Sequence, residues 1–219
     1  MPEVAVADEE YGLQKWASMD ALLQHEQCDV LIDFSLPEAA AANAAAALSG
    51  GVSVVLGTTG LSDRELAHLG ELATVTKAAI FAAPNLSRVS PAILKFMDAI
   101  MPLFDCAAVA EVHSIRKVDS PSATAKEWAQ RLAIAGHRRN LDCEDSESTH
   151  QGATNVPIHS FRLAAGYDKH EFILTTESDS LSLRYETLSG EPFVEAALNA
   201  ASVVHQYSGL TTQIDSIFS

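Results

Sequence analysis

The chain has 219 residues, of which 47% are hydrophobic and 20% are charged, a composition typical of a soluble globular protein. Its formal net charge of −15 argues against nucleic acid and anionic membranes as partners, because both would repel it. The three cysteines show no C-x-x-C spacing and predict reduced thiols in a cytoplasmic protein, and no apolar run reaches the roughly 18 residues that a membrane span requires.

The chain opens on a short apolar run, residues 4–7, which is followed by Asp8 and two glutamates. In a Rossmann-type fold, an acidic residue at the end of the second strand accepts hydrogen bonds from the adenosine ribose, so Asp8 is a candidate for that role. A plain surface cluster of acidic residues explains the same pattern equally well. A short helix is predicted next, over residues 18–24.

Strand and helix patterns then alternate along the chain. Buried strands are predicted at residues 28–33, 52–56 and 79–82, and helices at residues 38–48 and 63–77. This order predicts a parallel sheet that is covered by helices and binds ligands at the carboxyl ends of its strands.

A short motif follows each of those strands: D-F-S-L-P at residues 33–37, G-T-T-G at residues 57–60 and A-P-N-L-S at residues 83–87. The glycine-flanked motif lets the backbone approach a flat ring closely and presents two hydroxyl groups. A simple tight turn would have the same sequence, so this motif alone does not decide between the two.

An amphipathic helix is predicted over residues 91–104, and we interpret Met97 and Met101 on its apolar face as core packing. A strand then leads into E-V-H-S-I-R-K-V-D-S-P-S-A-T-A at residues 111–125. A helix is predicted from Pro121, which suits a first helical turn, to about residue 135; its N-cap candidates are Asp119 and Ser120.

The stretch 111–125 combines a predicted anion site with acid/base groups. The N–H groups of the helix N-terminus and the hydroxyls of Ser122 and Thr124 suit a carboxylate or a phosphate. His113 titrates near neutrality, and Lys117 is a cation. These groups suggest a catalytic site, although a solvated loop before an ordinary capped helix is an equally good interpretation of the spacing alone.

Residues 136–154 are predicted to be a polar surface loop, in which His137 and His150 lack partners at metal-ligand spacing. The last part of the chain predicts strands at residues 157–162, 170–175 and 180–185, a helix at 193–207 and a turn at 208–210. Together with the strand before residue 111, these strands predict an open mixed sheet.

In combination, the motifs resemble those of the 4-hydroxy-tetrahydrodipicolinate (dihydrodipicolinate) reductase family. Its signature E-x-H-H-x-x-K-x-D-x-P-S-G-T-A is matched by residues 111–125 except at Ser114 and Ala123. The family's D-F-[ST]-x-P, G-T-T-G and A-P-N-[FL]-S motifs occur in the same order. Of the later family positions, Ser160, Arg162, His170 and Asp215 are matched, whereas Ala164 and Asp168 replace two glycines.

This resemblance implies an enzyme of diaminopimelate and lysine synthesis that reduces a cyclic dicarboxylated imine with hydride from NADH or NADPH. It assigns catalysis to His113 and Lys117, and it implies no metal ligand. The residues implied to bind the substrate are Ser114, Lys117, Ser122, Ala123 and Thr124. The residues implied to bind the cofactor are Asp8, Phe34, Gly57, Thr58, Thr59, Ala83, Pro84, Asn85 and Leu86.

The expected fold is α/β, with a Rossmann-type parallel sheet, incomplete at its N-terminus, in a dinucleotide-binding domain of residues 1–84 and 196–219. Residues 85–195 form the expected α+β substrate-binding and oligomerisation domain, with its open mixed sheet. The family's strand, G-x-x-G-x-M-G loop and helix that hold the pyrophosphate are not found in this sequence. We therefore expect these 219 residues to bind the dinucleotide weakly or not at all.

The resemblance also implies a homotetramer, with a dimer as the second choice. The sequence leaves two other functions open. The missing glycine loop and the substitutions at positions 114, 123, 164 and 168 favour a non-catalytic relative, such as a pseudoenzyme or an assembly partner. The retained His113 and Lys117 speak against that reading. A reductase of another carboxylated imine is the third possibility.

Overall fold

The computed structural model describes residues 6–8, 13–16, 18–83, 85–136, 156–164 and 168–212, and for residues 6–8 and 13–15 it describes the backbone alone. The chain divides into two compact units, residues 1–83 with 196–219 and residues 84–195. The roles predicted for them, dinucleotide binding in the first and substrate binding in the second, stay predictions.

The elements of the first unit are, in chain order, β1 (Val6–Asp8), β2 (Leu13–Lys15), α1 (Met19–His25), β3 (Val30–Asp33), α2 (Pro37–Ser49), β4 (Ser53–Leu56), α3 (Asp63–Thr76) and β5 (Ala79–Ala82). The second unit contains α4 (Ser90–Ile100), β6 (Cys106–Ser114), α5 (Ala123–Gly136), β7 (Ile158–Leu163), β8 (Asp168–Thr175) and β9 (Ser180–Thr187). The chain then continues through α6 (Glu191–Val203) to β10 (Gly209–Thr211), and short 3-10 turns occupy Met101–Leu103 and Val204–Gln206.

The first unit is built on a parallel sheet with the strand order β10-β5-β4-β3. All four residues of β4 and all four of β5 are buried, as expected for strands of a parallel sheet that is covered on both faces. The predicted Rossmann-type parallel sheet is therefore confirmed. Its core is formed by small and aliphatic residues of the strands and of helices α2 and α3, among them Ala40, Ala44, Ala47, Leu48, Val54, Leu56, Leu69, Ala73 and Ile80.

Local sequence signals set the helix bounds in this unit. Helix α2 begins at Pro37 and ends at Ser49, with Gly50 as its C-cap, close to the predicted range. Helix α3 begins with a capping box: the Ser62 N–H donates to the Glu65 carboxylate at 2.7 Å, and the Glu65 N–H donates to the Ser62 hydroxyl at 3.3 Å.

Strand β1 does not join the parallel sheet. The predicted second Rossmann strand forms, but it pairs antiparallel with β2 in a separate two-stranded ribbon. In a doubly wound sheet the second strand is part of the parallel sheet, so β1 does not occupy the predicted position. Within the described residues β3 is consequently an edge strand. Only the backbone of Asp8 is described, so its predicted ribose contact stays a prediction.

The predicted turn at residues 208–210 is wrong, because Gly209–Thr211 is strand β10, paired parallel with β5. Gly209 has a φ of +70°, and a Cβ at this position would lie 2.8 Å from the Thr74 hydroxyl oxygen. Glycine therefore permits both the backbone conformation and the close approach to α3. The pairing partner lies far away in the sequence, so local turn signals could not reveal the strand.

The second unit contains the predicted open mixed sheet, with the strand order β7-β6-β8-β9. Strand β6 runs parallel to β7 and antiparallel to β8, and β8 is antiparallel to β9. One face packs against α4 and α5 around the buried Trp128, and Met97 and Met101 lie in this core, which confirms their predicted packing role. The opposite face exposes Phe161 and Leu163.

Several sequence predictions fall outside the described residues. These are Pro84, the loop over residues 137–154 with His137 and His150, and Asp215. None of the helices in the described ranges combines the length and the apolar character that crossing a membrane requires.

Candidate active site

The carboxyl edge of the parallel sheet is organised by Asp33, the buried last residue of β3. Its carboxylate accepts hydrogen bonds from the Ser35 N–H at 2.9 Å, the Ser35 hydroxyl at 2.8 Å, the Asn43 amide at 3.0 Å and the Thr58 hydroxyl at 3.0 Å. Burial opposes ionisation, but the hydrogen bonds from Asn43, Ser35 and Thr58 hold the pKa of Asp33 below its usual range. The loops that follow β3 and β4 are thereby joined.

Gly57 and Phe34 are in close contact at this edge. A Cβ on Gly57 would lie 2.3 Å from Cε1 of the Phe34 ring, so glycine is required for the ring to rest on the backbone. Phe34 still exposes 54% of its surface. The flat ring that the G-T-T-G motif was expected to approach is thus, in this structure, one of the chain's own side chains.

The other predicted cofactor residues fall into two groups. One group follows the ends of strands β4 and β5, and the other belongs to the second unit. Thr59 is half-buried in the loop after β4, and Ala83 is buried directly after β5. Asn85 and Leu86 are buried residues of the second unit. The Oδ1 atom of Asn85 has no hydrogen-bond donor among the described residues.

In the second unit, Glu111 is a fully buried anion that several elements satisfy. Residues of β6 alternate between the two faces of the sheet, which places Glu111 and His113 on the inner face. The Glu111 carboxylate accepts hydrogen bonds from the Ser122 N–H at 3.0 and 3.2 Å, the Ser160 hydroxyl at 2.7 Å and the Arg162 guanidinium at 3.0 Å. Burial would raise the pKa of Glu111, but hydrogen bonds from His113, Ser122 and Ser160 hold it far below its usual range.

His113 lies between two carboxylates. Its Nδ1 is 2.6 Å from Oδ1 of Asp168, and its Nε2 is 3.2 Å from Oε2 of Glu111. Burial lowers the pKa of His113, but the hydrogen bonds and charges of Asp168 and Glu111 outweigh this effect and raise it. Because only the protonated ring carries a hydrogen on both nitrogens, the geometry favours the imidazolium form.

His170, on β8, is a neutral neighbour of this pair. Its ring centroid is 5.2 Å from that of His113 and 4.9 Å from that of Trp128. Burial and the charge of His113 lower the pKa of His170 to about 4. Its Nε2 is 3.4 Å from the Ser122 hydroxyl, and its Nδ1 has no hydrogen-bond partner among the described residues.

Helix α5 begins later than predicted, and its cap is Ser122, whose hydroxyl accepts a hydrogen bond from the Ala125 N–H at 3.1 Å. The prediction that Asp119 or Ser120 caps the helix, with Pro121 in its first turn, is therefore wrong. Asp119 instead pairs with Lys117 at 2.9 Å. The Ser122 N–H is already engaged by Glu111, so the chain's own carboxylate occupies part of the predicted anion site.

The structure brings together His113 and Ser122, and it buries Thr124 beside them at the start of α5. Ser114 lies elsewhere: the alternation of β6 directs it to the opposite face from His113, and its hydroxyl accepts a hydrogen bond from the Arg116 N–H at 3.2 Å. Ala123 is half-buried as the first residue of α5.

Several residues of this cluster, among them Glu111 and Asp168, were not among the predicted site residues. Glu111 could have been found, because it stands two residues before His113 and a strand places such pairs on one face. Asp168 is 55 residues from His113, and only the pairing of β6 with β8 brings it there.

Among the described residues, the side chains of Glu111, His113 and His170 offer ligand atoms that all lie within 4.8 Å of one another, close enough for a metal ion. The surrounding hydrogen bonds suit a different role. The Arg162 guanidinium and the Ser160 hydroxyl already bind the Glu111 carboxylate. A cation at this carboxylate would face the positive charge of Arg162, so the cluster fits a hydrogen-bonded acid/base site better than a metal centre.

The sequence matches one known protein family along nearly its whole length. The family profile for the dihydrodipicolinate reductase N-terminus matches residues 4–86, and the profile for its C-terminus matches residues 88–217. A 4-hydroxy-tetrahydrodipicolinate reductase of Moorella thermoacetica is 31% identical over 193 residues, covering 86% of this chain and 72% of the relative. The reductase of Beutenbergia cavernae is 32% identical over 226 residues, covering 96% and 90%.

A solved dihydrodipicolinate reductase from Paenisporosarcina sp. TG-14, with dipicolinate bound, shares the fold at a TM-score of 0.70 and 24% identity. The match covers 94% of this chain and 80% of that one. Two family profiles that together span nearly the whole sequence, and relatives above 30% identity over most of their length, lead to one assignment. This chain belongs to the dihydrodipicolinate reductase family, the NAD(P)H-dependent oxidoreductases of diaminopimelate and lysine synthesis.

Proposed function

We propose that this chain catalyses the reduction of 4-hydroxy-tetrahydrodipicolinate, with His113 as the acid that supplies the proton accompanying hydride. One observation carries the proposal: the His113 ring is held between the carboxylates of Glu111 and Asp168, which favours its charged, proton-donating form. A general acid needs a proton to give and a fixed orientation, and this arrangement provides both.

The carboxyl edge of the parallel sheet fits a nicotinamide cofactor. Phe34 rests on Gly57 and offers an exposed aromatic surface, and Asp33 fixes the loops that carry both residues. NADH or NADPH, when bound, supplies the hydride. We assign its binding to Phe34, Gly57, Thr58, Thr59, Ala83, Pro84, Asn85 and Leu86, and the ribose contact to Asp8.

For the substrate, we assign the carboxylate groups to Lys117 and to the start of α5. Lys117 is partly exposed and pairs with Asp119, so a substrate carboxylate can compete for the same ammonium group. Ser122, Ala123 and Thr124 surround the helix N-terminus, whose dipole favours negative charge. Ser114 faces away from His113, so we expect its contribution to be the weakest of the predicted set.

We further propose a homotetramer, with a dimer as the second choice, formed through the open face of the mixed sheet. The exposed Phe161 and Leu163 of β7 lie on that face, away from α4 and α5. Exposed apolar side chains on a sheet face favour association with a second copy of the chain. We place the protein in the cytoplasm, where reduced thiols such as Cys28 persist.

The two other functions that the sequence left open are not favoured. The relatives from Moorella thermoacetica and Beutenbergia cavernae both carry the name of the same reductase. A pseudoenzyme would also have no physical need for a histidine held between two carboxylates in the interior of the protein.

The test is a reductase assay of the 219-residue chain that follows the loss of nicotinamide absorbance with 4-hydroxy-tetrahydrodipicolinate as substrate. The cofactor is supplied in large excess, so that its affinity does not limit the measured rate. We expect turnover in the wild type and a loss of about 100- to 10,000-fold in kcat/KM for His113→Asn. His68→Asn, at an exposed histidine of α3, is the matched control and should retain activity. Equal activity of His113→Asn and the wild type would show that His113 is not the acid.

A further inference from the structure

Asp168 is the first residue of β8 and stands beside the end of β6 in the sheet. Strand β6 runs antiparallel to β8 with Val112 opposite Lys169, so the next position along each strand brings His113 and Asp168 together. Oδ1 of Asp168 lies 2.6 Å from Nδ1 of His113, the shortest of the contacts that the histidine ring makes. The reductase motif has glycine at this position, so the carboxylate is a feature of this chain's own sequence.

The two carboxylates that contact His113 differ in exposure. The Glu111 side chain is fully buried, whereas 45% of the Asp168 side chain is exposed, and only 3% of the His113 side chain is exposed. The Nε2 edge of the ring therefore faces the closed interior, and the Nδ1 edge faces the accessible side through Asp168. A proton that enters or leaves the ring has to pass at Nδ1.

We propose that Asp168 is a positioning residue for His113, which fixes the orientation of the imidazole ring and keeps a proton on Nδ1 in readiness for transfer. This proposal rests on the proposed function of His113 as the acid. Asp168 acts through the histidine and is not itself assigned a contact with substrate or cofactor.

The hydrogen-bond geometry explains how Asp168 would act. A neutral imidazole has one N–H, so it can satisfy Glu111 or Asp168 but leaves a lone pair facing the other carboxylate. Two carboxylates at the two ring nitrogens thus favour the ring with both hydrogens in place. Among the described residues, the other charged or titratable groups near the ring are His170 on β8, Lys117 after β6 and Arg162 on β7, which binds Glu111.

Proton transfer from His113 changes the hydrogen bonding of both ring nitrogens. In the proposed step the partly exposed Asp168 side chain gives up its place at Nδ1 to the substrate. The N–H bond at Nδ1 then breaks and its proton forms a new bond to the substrate as hydride is added, which leaves a neutral ring with its hydrogen on Nε2 donated to Glu111. The product leaves and Asp168 returns. The Nδ1 lone pair then faces the Asp168 carboxylate, which is an unfavourable contact. Protonation of Nδ1 from solvent relieves this contact, so Asp168 also favours the return of the ring to its active form.

The experiment measures the imidazole signals of His113 by NMR across a pH titration of the protein without cofactor or substrate, with His113→Asn identifying the signals. In Asp168→Asn, which keeps the shape of the side chain and removes its charge, we expect the titration midpoint of His113 to fall by about 1 pH unit or more, because an adjacent opposite charge shifts such midpoints by roughly 1–3 units. The alkaline limb of the kcat/KM profile should move in the same direction.

Asp168→Glu retains a carboxylate, so the titration midpoint of His113 should return at least part of the way to its wild-type value. A merely structural role of Asp168 would not produce this recovery. Asp179→Asn, at an exposed aspartate between β8 and β9, is the matched control and should leave the midpoint unchanged. Asp168→Gly, which restores the residue of the family motif, provides a second charge-free variant if Asp168→Asn folds poorly.

A His113 midpoint that stays the same in both Asp168→Asn and Asp168→Gly would overturn the proposal. The NMR titration does not depend on catalysis. An inactive wild type that nevertheless shows the Asp168-dependent midpoint would refute the proposed function and leave the positioning role intact, so the two failures are distinguishable.

Discussion

The Thr58 hydroxyl donates a hydrogen bond to the Asp33 carboxylate across 3.0 Å and so connects the carboxyl ends of the adjacent strands β3 and β4. Thr58 also donates to the backbone oxygen of Ser35 at 2.8 Å. The loop that holds Phe34 is in this way attached to the G-T-T-G loop. The shape of the proposed nicotinamide surface depends on this one buried carboxylate.

Asp33→Ala should therefore destabilise the first unit and weaken cofactor binding. Ser35, Asn43 and Thr58 lose their common acceptor, and we expect a loss of about 2–3 kcal/mol in the free energy of unfolding, since hydrogen bonds to a charged group are worth roughly 1.5–3 kcal/mol each and water replaces some of them. Urea unfolding and NADPH titration by calorimetry measure the two effects. Asp29→Ala, at an exposed aspartate just before β3, is the control. Similar results for both variants would contradict the role assigned to Asp33.

Gly57→Ala should displace Phe34 without unfolding the protein. The added Cβ would lie 2.3 Å from the Phe34 ring, and the ring is exposed enough to swing away. We expect cofactor affinity to fall by about tenfold, which corresponds to roughly 1.4 kcal/mol, with a smaller change in stability. Gly190→Ala is the matched control, because among the described residues no atom beyond its chain neighbours lies within 4 Å of the Cβ that it would add. Unchanged cofactor affinity in Gly57→Ala would show that Phe34 does not contribute to the cofactor site.

Glu111→Gln should be strongly destabilising. It removes a buried charge that the Arg162 guanidinium contacts at 3.0 Å, and breaking a buried ion pair from one side costs about 3–5 kcal/mol. Thermal and urea unfolding measure this loss. Glu171→Gln, at a partly exposed ion pair with Lys169 on β8, should change stability by about 1 kcal/mol at most. A comparably small loss in Glu111→Gln would mean that the cluster tolerates a neutral residue at its centre.

His170 should make the protein less stable as the pH falls below about 6.5. The pKa of His170 is lowered to about 4 in the folded protein, from 6.5, so between these values the unfolded chain binds the proton and the folded chain does not. The difference corresponds to about 3 kcal/mol of stability that is present above pH 6.5 and lost progressively towards pH 4. The pH dependence that His113 contributes has the opposite sign. Its pKa is raised in the folded protein, so it adds stability that is lost as the pH rises through that folded-state pKa.

The measurement is urea unfolding of the wild type and of His170→Gln at several values of pH. We expect the variant to be less stable near neutral pH but to lose less of its stability between pH 6.5 and pH 4. Parallel stability curves for the two proteins would rule out the neutral, buried histidine as a source of the pH dependence.

Phe161→Asp should prevent assembly through the open face of the mixed sheet. Phe161 is exposed on β7, and a negative charge there would be buried against a second copy of a chain that already carries a net charge of −15. Light scattering at micromolar concentration should show a tetramer, or a dimer, for the wild type and a smaller species for the variant. Val75→Asp, at an exposed valine of α3, is the control. A monomeric wild type would refute the proposed assembly.

The local order of the fold could be predicted because neighbouring residues encode it. Continuous apolar runs predicted the buried strands β4 and β5, and the alanine-rich segment and its terminal glycines predicted α2. Motif spacing also pointed to His113. In each case the signal lies within a few residues of the feature, so no knowledge of distant partners was needed.

Tertiary structure decided which residues surround that histidine. Asp168 reaches His113 only because β8 pairs with β6 in one register, and a shift by one residue would turn its side chain to the other face of the sheet. The same sheet brings Arg162 and Ser160 to Glu111. The Glu111 carboxylate also binds the Ser122 N–H, and α5 is capped at Ser122. Strand β10 forms because β5 offers a free edge. These contacts depend on strand register between distant segments, which composition and local periodicity do not specify.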